Sequence, residues 1–144
     1  MQHTRFLFFI VLAACPGKTL PVEETPLTLT VMAINDFHGG LYETKIPGDK
    51  EGTQAIGGFP WLKAAVDQVR AEVPRAVLID GGDEFQGSWP VNATYGRGSV
   101  EAFNLLGVDA TAIGNHEFDY GGKGGGHPLR GALETNAKLA NYPL

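Results

Sequence analysis

Three short apolar runs constrain this chain most, because each ends abruptly in glycine or in side chains that bind cations and move protons. Ala110 to Ile113 runs into Gly114-Asn115-His116-Glu117-Phe118-Asp119, Val31 to Ile34 into Asn35-Asp36-Phe37-His38, and Ala76 to Ile79 into Asp80-Gly81-Gly82-Asp83. Runs of this length and composition predict buried strands. In open α/β sheets, ligands gather beyond the carboxyl ends of the strands. Side by side, three such strands would bring Asp36, His38, Asp83, Asn115 and His116 into one metal-site constellation.

The intervening segments predict helices. Pro60 can open one at its first position, with Trp61, Leu62, Ala65, Val66 and Val69 on one face, Lys63, Asp67 and Arg70 on the other, and Pro74 closing it. Residues 100–106 predict a second helix with Phe103 and Leu106 inward and Gly107 as its stop. Leu129, Leu133, Ala137 and Ala140 carry helical spacing across residues 128–140, and residues 142–144 approach a fourth strand. The first strand is predicted over residues 27–34, covered on both faces because its last four residues are all apolar. Residues 41–57 and 84–98 predict irregular stretches, and 121–126 a glycine-rich loop. Strand–helix alternation makes the fold class α/β.

A chain of 144 residues fits one modest domain or part of a larger one. With 43% hydrophobic and 19% charged residues it can bury a core. A net charge of −5 without a lysine or arginine cluster excludes nucleic-acid binding driven by phosphate neutralisation.

At the N-terminus, residues 6–14 are wholly apolar and the single cysteine, Cys15, follows at once. Nine apolar residues are too few to span a bilayer but suit a signal-peptide core. Leu12-Ala13-Ala14-Cys15 resembles the lipobox of bacterial lipoproteins, which implies cleavage before Cys15 and acylation of it. Residues 1–14 are then a lipoprotein signal, 15–26 a proline-containing tether, and 27–144 the folded domain. The expected location is exported, held to a membrane by the lipid anchor on its periplasmic or extracellular face.

The residue types at the strand ends suit a particular chemistry. Asp36 and His38 are two apart, so both would point the same way from an extended backbone. A carboxylate beside an imidazole suits zinc, manganese or iron better than calcium. Asp83 could bridge two cations, and Asn115 could offer an amide oxygen. His116 and Asp119 are three apart, neighbours in a helical turn, where the carboxylate can hold one imidazole tautomer and favour its protonated form. Each of these alone also fits an ordinary turn residue. Their order, each after an apolar run, is what points to a site.

Asp36-Phe37-His38, Gly81-Gly82-Asp83 and Gly114-Asn115-His116-Glu117 resemble the first three signature blocks of the calcineurin-like metallophosphoesterases. With their flanks, from Asn35 to Gly39, Gly82 to Ser88 and Gly114 to Gly121, they resemble the bacterial 5′-nucleotidase / UDP-sugar hydrolase branch. The resemblance implies the N-terminal part of a four-layer α/β-β/α sandwich, incomplete at its C-terminal side. It implies two divalent metal ions, zinc, manganese or similar, and a nucleotide or other phosphoester as substrate. Asp36 and His38 would bind the first ion, Asp83 both, and Asn115 the second. His116, oriented by Asp119, would face the phosphate, and water would attack phosphorus in line. A same-fold thiosulfohydrolase, a cyclic-nucleotide phosphodiesterase and a non-catalytic lipid-anchored binding protein are the alternatives.

The departures from the family pattern carry equal weight. Its later histidine blocks and its base-binding C-terminal domain have no counterpart here. Of the four histidines, His3 falls in the signal, His38 and His116 in the blocks, and His127 reads as a solvated loop residue. The resemblance therefore leaves the second ion with only Asp83 and Asn115, and these residues alone are not expected to turn over nucleotides.

Overall fold

The computed structural model describes residues 26–47 and 53–144. The expected signal segment, Cys15 and the expected tether up to residue 25 lie outside the described residues.

A parallel three-stranded sheet carries the fold. Its strands are β1 (Thr30–Ile34), β4 (Ala76–Asp80) and β5 (Ala110–Thr111), in the order β1-β4-β5. Thr30 pairs with Ala76 and Ile34 with Asp80, while Ile79 pairs with Ala110. All three expected strands therefore lie side by side and end at the same edge of the sheet.

Between the first two strands run an antiparallel hairpin, β2 (Thr44–Pro47) and β3 (Thr53–Ile56), and helix α1 (Phe59–Glu72). Helices α2 (Trp89–Ala93) and α3 (Arg97–Leu106) precede β5, and a 3₁₀ turn (His116–Phe118) and α4 (Gly131–Ala137) follow it.

The core lies on one face of the sheet. Leu78 of the central strand is fully buried with Val66 of α1, Phe103 and Leu106 of α3, Val108 and Tyr142, and Met32 and Ile34 pack against them. A second cluster joins Phe85, Val100 and Leu133 under the loop that follows β4. Burying a residue such as Phe103 or Leu78 stabilises the fold by about 1.5–3 kcal/mol each.

Helix ends follow the expected chemistry. Gly107 takes the left-handed conformation at φ 72° and closes α3. Arg70, expected on the solvent face of α1, instead reaches α3. Its guanidinium donates to the carbonyls of Leu106 at 2.7 Å and of Gly107, and lies 3.5 Å from Asp109. A cation there satisfies the orphan carbonyls and opposes the negative end of the helix.

Several expectations are corrected. The first strand begins at Thr30 rather than residue 27 and is not covered on both faces, since Val31 and Ala33 are exposed together with Ile79 of β4. In parallel register these three side chains share the face opposite the core. Residues 41–57 contain the β2–β3 hairpin rather than a loop, and 84–98 contain α2, whose five residues are too short to show a period. The inward stripe of α1 is buried Val66 with half-buried Phe59, Leu62 and Val69, while Trp61 and Ala65 face outward and Trp61 Nε1–H donates to Glu43 at 2.9 Å. β5 stops at Thr111, α4 spans only Gly131–Ala137, and residues 142–144 form no strand. That last segment still runs alongside β5, where the Thr111 N–H donates to the Pro143 carbonyl at 3.0 Å.

Candidate metal centre

The backbone ladder between β1 and β4 continues past the strand ends and builds the site. Asp36 N–H donates to the Gly82 carbonyl at 3.1 Å, His38 N–H to that of Asp83 at 3.0 Å, and Gly39 N–H to that of Glu84 at 3.2 Å. Asp36 and His38 are thereby set next to Asp83. The geometry differs from the extended one expected, because Asp36, His38 and Asp83 have φ of 52°, 46° and 59°. Left-handed backbone is sparsely populated by residues other than glycine, costs about 1–3 kcal/mol at each position, and clusters at functional sites.

From the other side comes the turn after β5. The His116 N–H donates to Asp83 Oδ1 at 2.9 Å, and His116 Nδ1 lies 2.6 Å from Asp119 Oδ2. That contact leaves Nε2 as the free ring nitrogen. The His116 ring meets the His38 ring edge-on, with centroids 4.7 Å apart. Asp119 raises the His116 imidazole above its usual value, chiefly through this hydrogen bond, with the charges of Asp119, Asp83 and Glu117 acting the same way and desolvation opposing them.

His38, Asp83 and His116 each bring one ligand atom to within 4.8 Å of the others. Two imidazoles and a carboxylate converging in this way form a donor set that fits zinc, manganese or iron. The donor chemistry thus fits a divalent cation.

The other expected residues surround this group. Asp36 Oδ1 is 3.7 Å from His38 Nε2 but stands outside the tight cluster, and Asn35 donates to its other oxygen. Asn115 is exposed at the start of the 3₁₀ turn, and its amide does not cap that turn. His127 is not in the cluster and accepts the Leu129 N–H at 3.2 Å. His116, expected in the constellation and facing the phosphate, stands beside His38 and Asp83.

Two glycines are required by close approach. A Cβ on Gly114 would overlap Asp83 Oδ1, and one on Gly82, at φ 95°, would come within 2.7 Å of the Gly114 nitrogen. Asp80 holds the turn at the end of β4 and ties it to β5, accepting the Gly82 N–H at 2.8 Å and the Thr111 hydroxyl at 2.6 Å.

Sequence reasoning gave Glu117 no role. It is fully buried, and its carboxylate accepts the backbone N–H groups of Asp83, Glu84, Phe85 and Gly114. The available signal was its position, a carboxylate directly after a candidate catalytic histidine in a loop rich in backbone donors.

No protein-family model matches the chain. It is 35% identical over 130 residues to the 5′-nucleotidase of Bos taurus, covering 89% of this chain and 21% of that protein. It is 34% identical over 139 residues to the snake venom 5′-nucleotidase of Gloydius brevicauda, covering 96% and 22%. The solved 5′-nucleotidase precursor from Thermus thermophilus superposes with a TM-score of 0.67 at 31% identity, covering 79% of this chain and 21% of that one. The chain spans about a fifth of the length of the relatives it matches. Strand-end blocks, site geometry and relatives agree, and the chain belongs to the 5′-nucleotidase family of metallophosphoesterases, whose N-terminal part it covers.

Proposed function

We propose that the protein containing this chain is a dinuclear-metal phosphoesterase that hydrolyses nucleotides to nucleoside and phosphate. The observation that carries this reading is the convergence of His38, Asp83 and His116 to within 4.8 Å at the ends of parallel strands. The naming of its relatives as 5′-nucleotidases supports the nucleotide substrate.

In this reading Asp36 and His38 would hold a first divalent ion, Asp83 would contribute to both, and Asn115 would serve the second. Bound cations would supply Lewis-acid polarisation of the phosphoryl oxygens and lower the pKa of water at the site. Asp83 lowers the repulsion between two cations through its negative charge. Its Oδ1 is already held by the His116 N–H, so its position does not depend on the metal. Asp119 fixes His116 with Nδ1 protonated and keeps the ring cationic to higher pH, which suits it to bind a phosphoryl oxygen or protonate a leaving oxygen. The remaining ligands of the second ion and the groups that select the base come from the rest of the polypeptide.

Export and lipid anchoring through Cys15 belong to the same proposal. Among the described residues no helix is long and apolar enough to cross a membrane, and the apolar run before Cys15 supports the anchor.

The test is phosphate release from AMP by the full natural polypeptide with excess manganese or zinc. The reading predicts turnover that chelation abolishes and added metal restores. Absence of phosphate from every 5′-nucleotide tried would contradict it.

A further inference from the structure

We infer that Glu117 is a positioning residue whose buried carboxylate sets Asp83 for the metal by tying two strand-end loops together. The inference rests on the metal-site reading above and deepens it.

Each oxygen of this carboxylate accepts two backbone N–H groups. Oε2 takes those of Asp83 at 3.0 Å and Gly114 at 2.5 Å, and Oε1 those of Glu84 at 2.8 Å and Phe85 at 3.1 Å. Three of the donors are consecutive residues after β4 and the fourth follows β5. Successive backbone N–H groups in such a turn form a concave anion cradle. Here the cradle is filled from within the chain, so the 83–85 loop cannot also serve as an open phosphate-binding loop.

The arrangement is reciprocal. Asp83 gives its N–H to Glu117 and receives the His116 N–H on its own carboxylate at 2.9 Å. Asp83 is thus held at its backbone and at one side-chain oxygen by two adjacent residues of the other loop. That clasp holds Asp83 in left-handed backbone at φ 59°. Because Glu117 is fully buried, no water can replace it as acceptor without opening the loops. A neutral amide presents only one acceptor oxygen, and its NH₂ would face two backbone donors.

The test uses the full polypeptide with Glu117→Gln, and manganese binding followed by the loss of the free Mn²⁺ electron paramagnetic resonance signal. The expected result is Mn²⁺ affinity weaker by about tenfold or more, with kcat falling alongside, as for other groups that orient metal ligands. Glu117→Asp keeps the charge but shortens the reach by one methylene, and it is expected to weaken Mn²⁺ binding in the same direction. It is the variant to measure where the amide variant does not fold. Asp109→Asn serves as comparator: it loses a charge that accepts the Leu78 N–H at 2.7 Å near the start of β5, away from the site. It is expected to lower stability and leave Mn²⁺ affinity unchanged. A folded Glu117 variant that binds Mn²⁺ like the wild type would overturn the inference, as would failure of both variants to fold, which would make Glu117 a folding residue only. A wild type that binds no metal and releases no phosphate would instead refute the underlying functional reading.

Discussion

The backbone N–H of His116 donates to Asp83 Oδ1 at 2.9 Å, so the loops after β5 and β4 are joined through a candidate metal ligand itself. Gly114 lies against the same oxygen, and a Cβ there would overlap it. Gly114 does not occupy positive φ, so alanine is not strained in its own backbone, and the obstacle is Asp83, whose backbone nitrogen a Cβ would also approach to 2.7 Å. Gly114→Ala is expected to displace Asp83 and weaken Mn²⁺ binding by about 10- to 100-fold. Titration of the folded variant by calorimetry checks this, and unchanged affinity would show that Asp83 can move without loss.

Asp119 is the largest cause of the raised His116 value. Asp119→Asn removes that charge, so His116 loses its proton at lower pH, and the alkaline limb of kcat/KM should move to lower pH. The rate at the wild-type optimum should fall by up to about 10²-fold. A pH–rate profile with AMP decides this. A limb that stays in place would take His116 out of the proton chemistry.

Glu84 follows Asp83 in sequence and is fully buried, with its carboxylate accepting the Tyr142 hydroxyl at 2.9 Å. Burial pushes it from 4.5 up to about 8, helped by the charges of Glu117 and Asp80 and opposed by the Tyr142 bond. Between those values the folded chain keeps a proton that the unfolded chain has lost. Stability is therefore fully present below about 4.5 and is lost as pH rises through about 8. The slope is at most about 1.4 kcal/mol per pH unit. Glu84→Gln, always neutral, should flatten it. Urea unfolding across that window with chelator present measures the slope of both proteins, and equal slopes would assign the titration elsewhere.

Cys15 is expected to carry the lipid that holds the mature protein to a membrane. One acyl chain alone gives only marginal binding, so stable attachment implies more than one. Cys15→Ser should move the protein from the membrane to the soluble fraction. Identical partitioning of the two would contradict the anchor.

What was legible in the sequence was whatever depended on strand ends and helical period. The three parallel strands, α1, α3 and the clustering of His38, Asp83 and His116 all follow from apolar runs meeting polar ends. The β2–β3 hairpin was not legible, because its four-residue strands lie in a polar stretch with no sustained alternation. The outward Trp61 of α1 was not legible because its partner, Glu43, lies outside the helix and leaves no mark in the helical period. Glu117 was missed for a deeper reason: its partners are backbone N–H groups of residues 83–85, and no side-chain pattern records them. The left-handed backbone at Asp36 and His38 is likewise set by the ladder to β4 and not by local composition.

The most direct test of the metal centre is the metal content of purified full-length Asp83→Asn, measured by mass spectrometry beside the wild type and Asn115→Ala. Asp83 is the one carboxylate that clusters tightly with His38 and His116, so replacing its charge leaves two cations poorly neutralised. The account predicts that Asp83→Asn depletes both ions, whereas Asn115→Ala mainly loses the second. Two ions retained at full occupancy in Asp83→Asn would contradict it.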